Sequence, residues 1–188
     1  MLLIKENKFK ISSDYHLRHK NVLKYDNRPF SSIEEHDKAI IESHNSTVDE
    51  NDDFFFLGDF CFDRKISTIE YLLSRLNGNK YFIKGNHDKK NIIKAYEKFG
   101  TYLGEQASIK VGNSYKDSQD IVLNHFAMRT WEKSHHGSWH LYGHSHGSLE
   151  HINWGKSMDV GIMVNDYKPF SFHQIKAIMD KRKSIKHH

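Results

Sequence analysis

Residues 85–88 set an amide, an imidazole and a carboxylate, Asn86, His87 and Asp88, side by side directly after Gly85. Gly and Asn alone would make an ordinary turn, so three adjacent polar groups of these types ask for chemistry. The setting recurs along the chain. The apolar run 9–11 leads to Ser13, Asp14, Tyr15 and His16, and 54–57 leads to Gly58 and Asp59. Residues 81–83 lead to the cluster at 85–88, 121–123 to Asn124 and His125, and 141–142 to Gly143, His144, Ser145 and His146.

Pooled, the tips of these runs offer Asp14, His16, Asp59, Asn86, His125, His144 and His146, with His87 and Asp88 beside them. Imidazole and carboxylate donors in that number suit a pair of zinc, iron or manganese ions, and the lack of a Cys cluster argues against a structural zinc site. One Asp carboxylate has two oxygens and can bridge ions that sit only about 3.5 to 4 Å apart. Asn86 would fill a coordination position without adding negative charge. Two divalent ions outweigh the charges of Asp14, Asp59 and one hydroxide, so such a site stays net positive and favours a phosphate ester over a neutral substrate.

The elements that must position these groups are legible in outline. In an open α/β sheet the ligand site lies beyond the carboxyl ends of the strands, so runs ending in this way converge their polar tips on one place. Capping boxes predict a helix from Ser32 with Glu35 to about Asn45, and another from Ser67 with Glu70 closed by Asn77 and Gly78. Further helices are expected over about 89–99, stopped by Gly100, and about 173–181. Gly112 and Asn113 suggest a hairpin turn in the least patterned region, 101–120. No repeat, low-complexity segment or linker divides the chain, and 188 residues suffice for one well-buried core, so a single domain over 1–188 is expected.

Composition narrows the class. The single cysteine, Cys61, cannot form an internal disulfide, and no apolar run approaches membrane-spanning length, so a cytoplasmic protein with no membrane partner is expected. The net charge of +4 resides in the tail: without Lys181, Arg182, Lys183 and Lys186, 24 of the 28 basic residues face 24 acidic ones. A short basic tail reads as a solvated terminus, and the closing His187 and His188 as native or as a tag remnant.

Taken singly, Gly58-Asp59 or Asp14-x-His16 is a common local feature; together, in this order, the motifs are specific. The series Asp14-x-His16, Gly58-Asp59, Gly85-Asn86-His87-Asp88, His125 and Gly143-His144-Ser145-His146 resembles the signature of the calcineurin-like metallophosphoesterases over residues 14–146. His19, the RPF at 28–30, Arg129 and Trp131, the stretch GSWHLYGHSHG at 137–147 and the MDVG at 158–161 are similar to small, uncapped bacterial and phage members. The resemblance implies a sandwich of two mixed β-sheets flanked by helices. It implies that Asp14, His16, Asp59 and His146 hold one metal and Asp59, Asn86, His125 and His144 the other, with Asp59 as the bridge. It further implies that His87 protonates the leaving oxygen while Asp88 orients its imidazole. The acidic residue that usually follows the second motif's Asp by four positions is Asp63 here, preceded by Phe60, Cys61 and Phe62. Manganese is the expected ion, with iron, zinc and nickel as alternatives that the same donors accept.

The expected activity is hydrolysis of a phosphate ester by a metal-bridging hydroxide. No cap-sized insertion closes the site, which favours a phosphodiesterase acting on nucleotide-type or cyclic-nucleotide esters, nucleic acid entering as substrate only. The alternatives are a phosphomonoesterase, acting on nucleotides or phosphoproteins, and a degenerate binding module that keeps the fold. His19 and Arg129 lie near the motifs and are candidates for gripping phosphate oxygens, with an ordinary polar contact as the plain reading of each. His36, His44, His151 and His173 read as surface or structural, and His135 and His136 as loop residues.

Overall fold

The computed structural model describes residues 1–152 and 154–186, so His187 and His188 lie outside the described residues. The chain runs β1 (Leu2–Ile4), β2 (Phe9–Ser12), α1 (Val22–Tyr25), α2 (Ile33–Thr47), β3 (Asp53–Phe56), α3 (Ile66–Ser74), β4 (Asn79–Phe82), α4 (Lys90–Phe99), β5 (Thr101–Tyr102), β6 (Gln106–Gly112), β7 (Ser118–Asn124), β8 (Trp139–Tyr142), β9 (Ser157–Asp159), β10 (Phe170–Ser171) and α5 (Phe172–Met179). The strands form two five-stranded mixed sheets, ordered β10-β2-β3-β4-β5 and β1-β6-β7-β8-β9, in an α/β sandwich flanked by helices. Among the described residues no helix is long and apolar enough to cross a membrane.

The phenylalanine run of β3 explains the layering. Successive side chains of a strand point to opposite faces. Phe55 packs between the sheets with Phe9, Ile11, Ile121, Leu141 and Phe172, whereas Phe54 and Phe56 join Ile40 of α2, Ile69 and Leu73 of α3 and Tyr96 of α4. A central parallel strand covered on both faces is apolar throughout, as this one is.

Register sets the rim. Ser12, Phe56 and Phe82 are neighbours across β2, β3 and β4, so the residues that follow leave the sheet at one level. In the other sheet Leu123 pairs with Leu141, which brings the ends of β7 and β8 level. Gly143 closes the gap between the sheets: a Cβ there would stand 2.3 Å from Ser13 Oγ and 2.5 Å from Asp14 Oδ2.

Some helix boundaries differ from the sequence expectation. Ser32 Oγ accepts from the Glu35 N–H at 3.1 Å, but the Glu35 carboxylate turns to the Ser31 N–H at 2.8 Å. The second box is not used: α3 starts at Ile66 because Asp63 Oδ1 accepts from the Lys65 N–H at 2.8 Å and leads the chain into the helix ahead of Ser67. That helix ends at Ser74, and Gly78, with φ +91°, makes the turn into β4. The last helix begins at Phe172 behind a box of Ser171 and Gln174, one residue earlier than the apolar pattern suggests. The hairpin at Gly112 and Asn113 is present between antiparallel β6 and β7.

Candidate metal centre

Five of the rim residues stand in the left-handed backbone region: Asp14 (φ 58°), His16 (50°), Asp59 (59°), His144 (65°) and His146 (47°). Non-glycine residues avoid this region, at about 1–3 kcal/mol each, unless the surroundings enforce it. Here the loops brace one another. The Asp14 N–H donates to Gly58 O, the His16 N–H to Asp59 O and the Gly143 N–H to His125 O, each at 3.0 Å. Gly85 meets Asp59 so closely that a Cβ would lie 2.2 Å from Asp59 Oδ1.

The side chains gather in two groups, Asp14 with His16 and His146, and Asp59 with His125 and His144; within each, the candidate ligand atoms lie within 4.8 Å of one another. Asp59 Oδ2 faces both. It stands 3.7 Å from His16 Nε2 and 3.6 Å from His125 Nε2, while Asp59 Oδ1 accepts from the His87 N–H at 2.9 Å. Asn86 Oδ1 is 2.8 Å from His125 Nε2 and 2.9 Å from His144 Nδ1, which adds it to the second group.

Hydrogen positions follow from the partners. A carbonyl only accepts, so His125 Nδ1, 2.7 Å from Leu57 O, carries a hydrogen, and Nε2 is the atom turned to Asn86 Oδ1 at 2.8 Å. His146 Nδ1 donates likewise to Asp26 Oδ2 at 2.7 Å, leaving Nε2 facing His16 Nε2 at 3.1 Å and Asp14 Oδ1 at 3.5 Å. Asp14 Oδ1 is buried without a hydrogen-bond partner among the described residues, while Asp14 Oδ2 accepts from Ser13 Oγ and the His144 N–H. A buried carboxylate oxygen without a hydrogen bond, faced by two imidazole nitrogens, is a place that a cation would fill, and the oxygen and imidazole donors of both groups fit divalent metals.

Charge is organised accordingly. Burial alone would raise the Asp14 pKa, but the His146 and His16 imidazoles outweigh it and hold the carboxyl well below its usual range, from 3.5 and 3.7 Å, beyond hydrogen-bond distance. Burial also works against a charged His146, yet Asp14 and Asp26 on either side carry its pKa up to about 10. Burial raises Asp59 and lowers His16 and His144. Without metal, therefore, the first group keeps a proton on His146.

The expected contact between Asp88 and the His87 imidazole is not formed. Asp88 is buried, and its oxygens accept from the backbone N–H groups of Asp59 (3.0 Å), Gly85 (2.8 Å) and Phe60 (3.2 Å) and from Tyr96 O–H (3.0 Å). It pins two rim loops together. The His87 side chain is 44% exposed with Nε2 4.0 Å from Asp59 Oδ2, and its neighbour is Phe62, ring centroids 4.7 Å apart. His19 stacks on the same Phe62 at 3.6 Å and 3°. It lies beside the cluster, with its ring centre 5.5 Å from that of His16. Arg129 is not brought to the cluster: its guanidinium lies over Trp154 at 4.9 Å and lines a separate cleft of about 270 Å³ with Tyr142 and Leu149.

Three bracing residues are given no task by the sequence. Asp26 backs His146, and the buried Arg28 ties Asp26 (3.0 Å) to the backbone oxygens of Asp14 and Tyr15 (3.0 Å each). Asp159 accepts from Ser145 Oγ and the N–H groups of Gly147 and Gly161, which fixes the loop that carries His144 and His146. The RPF and MDVG stretches contain Arg28 and Asp159, but pattern alone assigns neither a task.

No family model matches the chain. An uncharacterized protein of Methanocaldococcus jannaschii, MJ1445, is 33% identical over 185 residues, covering 95% of both chains. The chain belongs to that protein's family. The gene 66 protein of Mycobacterium phage L5 is similar at 27% identity, over 80% of this chain and 84% of its own. The crystal structure of the Aquifex aeolicus protein AQ665, of unknown function, shares the fold with a TM-score of 0.69 at 18% identity, covering 94% of this chain and 99% of that one.

Proposed function

We propose that this member of the family is a dinuclear-metal-dependent phosphoesterase of the calcineurin-like type, acting on phosphodiesters of nucleotides. The observation that carries the reading is Asp59 Oδ2, one carboxylate oxygen within 3.7 Å of an imidazole nitrogen from each group. Asp14, His16 and His146 would hold one ion, Asn86, His125 and His144 the second, and Asp59 both. Bound there, the metals would neutralise charge on the phosphate oxygens and lower the pKa of a water.

The chain's own residues do the rest. Asp88, by its bonds to the backbone of Asp59, Phe60 and Gly85, keeps the bridging carboxylate where both groups meet it. His87 turns Nε2 toward Asp59 and is open to solvent, a placement from which it can hand a proton to the departing ester oxygen. Phe62 and not a carboxylate limits the tilt of its ring.

The test is a panel of cyclic nucleotides, linear dinucleotides and phosphomonoesters offered to manganese-loaded protein. Faster turnover of diesters is expected. A preference for monoesters would make the protein a phosphatase, and no turnover on any ester would leave the fold as a binding module.

A further inference from the structure

The rim on the His87 side opens into a groove of about 550 Å³, a size that holds a nucleotide. Its walls include Phe62, Asp63, Arg64, His87, Lys89 and Lys90. The walls are held together, since Asn91 Nδ2 donates to Arg64 O at 3.0 Å. Three cations therefore face one acid, and that acid is engaged: Asp63 Oδ1 accepts from the Lys65 N–H at 2.8 Å. Among the described residues Arg64, Lys89 and Lys90 have no acidic partner, and Lys89 Nζ turns toward the metal-centre rim, donating to Asn86 O at 3.3 Å.

The two lysines also stand where they cost stability. They occupy the N-cap and first position of α4, which has no acid in its first turn, although the positive end of a helix favours carboxylates and disfavours ammonium groups. Positive charge is thus concentrated in a groove that begins at His87, the residue beside the bridging carboxylate. An anion lying in the groove would satisfy all three cations at once.

We propose that this groove binds the phosphate that neighbours the reacting one, so that the substrate is a nucleotide chain and not a mononucleotide ester. The proposal rests on the phosphoesterase reading for where the reacting phosphate lies. Arg64 and Lys90 hold the flanking phosphate, and Phe62 and Asp63 form the wall against which the sugar lies.

Two measurements test it. In the first, a short 5′-phosphorylated single-stranded oligonucleotide is titrated by fluorescence anisotropy into metal-free protein at several salt concentrations. Arg64→Ala with Lys90→Ala should weaken binding about tenfold or more and reduce the slope of log K against log salt by ~0.7, the value for one phosphate charge no longer neutralised. Unchanged affinity and slope overturn the proposal. In the second, with manganese bound, the same double variant should raise KM for a phosphorylated dinucleotide by a far larger factor than for a nitrophenyl nucleotide ester, which has one phosphate. Equal effects on both esters overturn it as well. If no ester turns over in the parent protein yet the anisotropy difference is seen, the phosphoesterase reading falls and the groove stands as a nucleic-acid site. Circular dichroism of the variant checks that the fold is kept.

Discussion

The two halves of the candidate centre are built from similar ligands on different supports. In the first, Asp14 and His16 are buried, His146 is backed by the carboxylate of Asp26, and Arg28 fixes both Asp26 and the Asp14 backbone. In the second, His125 is backed by a neutral carbonyl, and Asn86 and His144 are exposed, with His144 against the half-exposed ring of Phe126. A carboxylate behind a ligating imidazole raises its basicity and orients it, so the first half would hold an ion more firmly. The second is backed by a neutral group where the first is backed by a charged one, and it faces solvent, where the proposed anionic ester would enter. Asp59, shared between them, is the joint on which any asymmetry depends.

The largest effect is expected from removing that joint. Asp59→Asn should reduce bound metal below two equivalents and lower turnover by several kcal/mol of lost charge stabilisation, about 10³-fold or more. Metal content by plasma emission and activity on the best ester of the panel check it; two metals with full activity would detach Asp59 from both halves.

His87→Ala comes next, because it removes the imidazole and keeps the backbone N–H that Asp59 accepts. Proton donation is worth about 10² to 10⁴ when the leaving group is an alkoxide and much less for nitrophenolate. Both metals should remain, with a large loss on a dinucleotide and a small one on the nitrophenyl ester. Equal losses would point to His87 stabilising the phosphate, and loss of metal would make it a ligand.

The difference in backing itself is read by protons. With its pKa carried up to about 10 by Asp14 and Asp26, His146 is protonated at pH 8 and must release that proton when metal binds, whereas His144, lowered by burial, is already neutral. Calorimetry in buffers of different ionisation enthalpy should therefore find about one proton released, with one of the two binding events losing affinity about tenfold per pH unit below pH 10 and the other insensitive over that range. Asp26→Asn should reduce the release. Metal uptake without protons would show that the halves do not differ in this way.

The rim is readable because its parts are local. Each polar cluster follows its own apolar run, and the alternation that buries Phe54 and Phe56 on one face and Phe55 on the other is inherent in a central parallel strand. What sequence could not deliver is tertiary. Asp88 follows His87 in the chain, yet its carboxylate turns inward to backbone N–H groups from the β3 loop and to Tyr96, a choice made by burial. Asp26, 120 residues from His146, has no local signal at all. The short β1, β5 and β10 are edge strands whose pairing partners lie elsewhere in the chain.

The smallest effect separates rim histidines from those of the core. His44 reads as structural from sequence, and both its nitrogens are used within the protein: Nε2 donates to Asn77 O at 3.1 Å and Nδ1 accepts from Tyr15 O–H at 2.8 Å. Burial lowers its pKa to about 4, despite the opposing Asn77 contact, against about 6.5 in an unfolded chain. Between those values the unfolded chain binds a proton that the folded one does not, so stability is lost as pH falls from about 6.5 to about 4 and does not change further on this account below it. The slope is about 1.4 kcal/mol per pH unit, or on the order of 3 kcal/mol across the window. Urea titrations between pH 6.5 and 5 should show a shallower slope in His44→Gln than in the parent by about one proton. Repeating them with manganese completes the comparison: metal should suppress the contribution of the rim histidines, whose nitrogens it would occupy, and leave the His44 difference intact. A difference that vanished on adding metal would place His44 in the same titrating network as the rim, against the separation of core from centre.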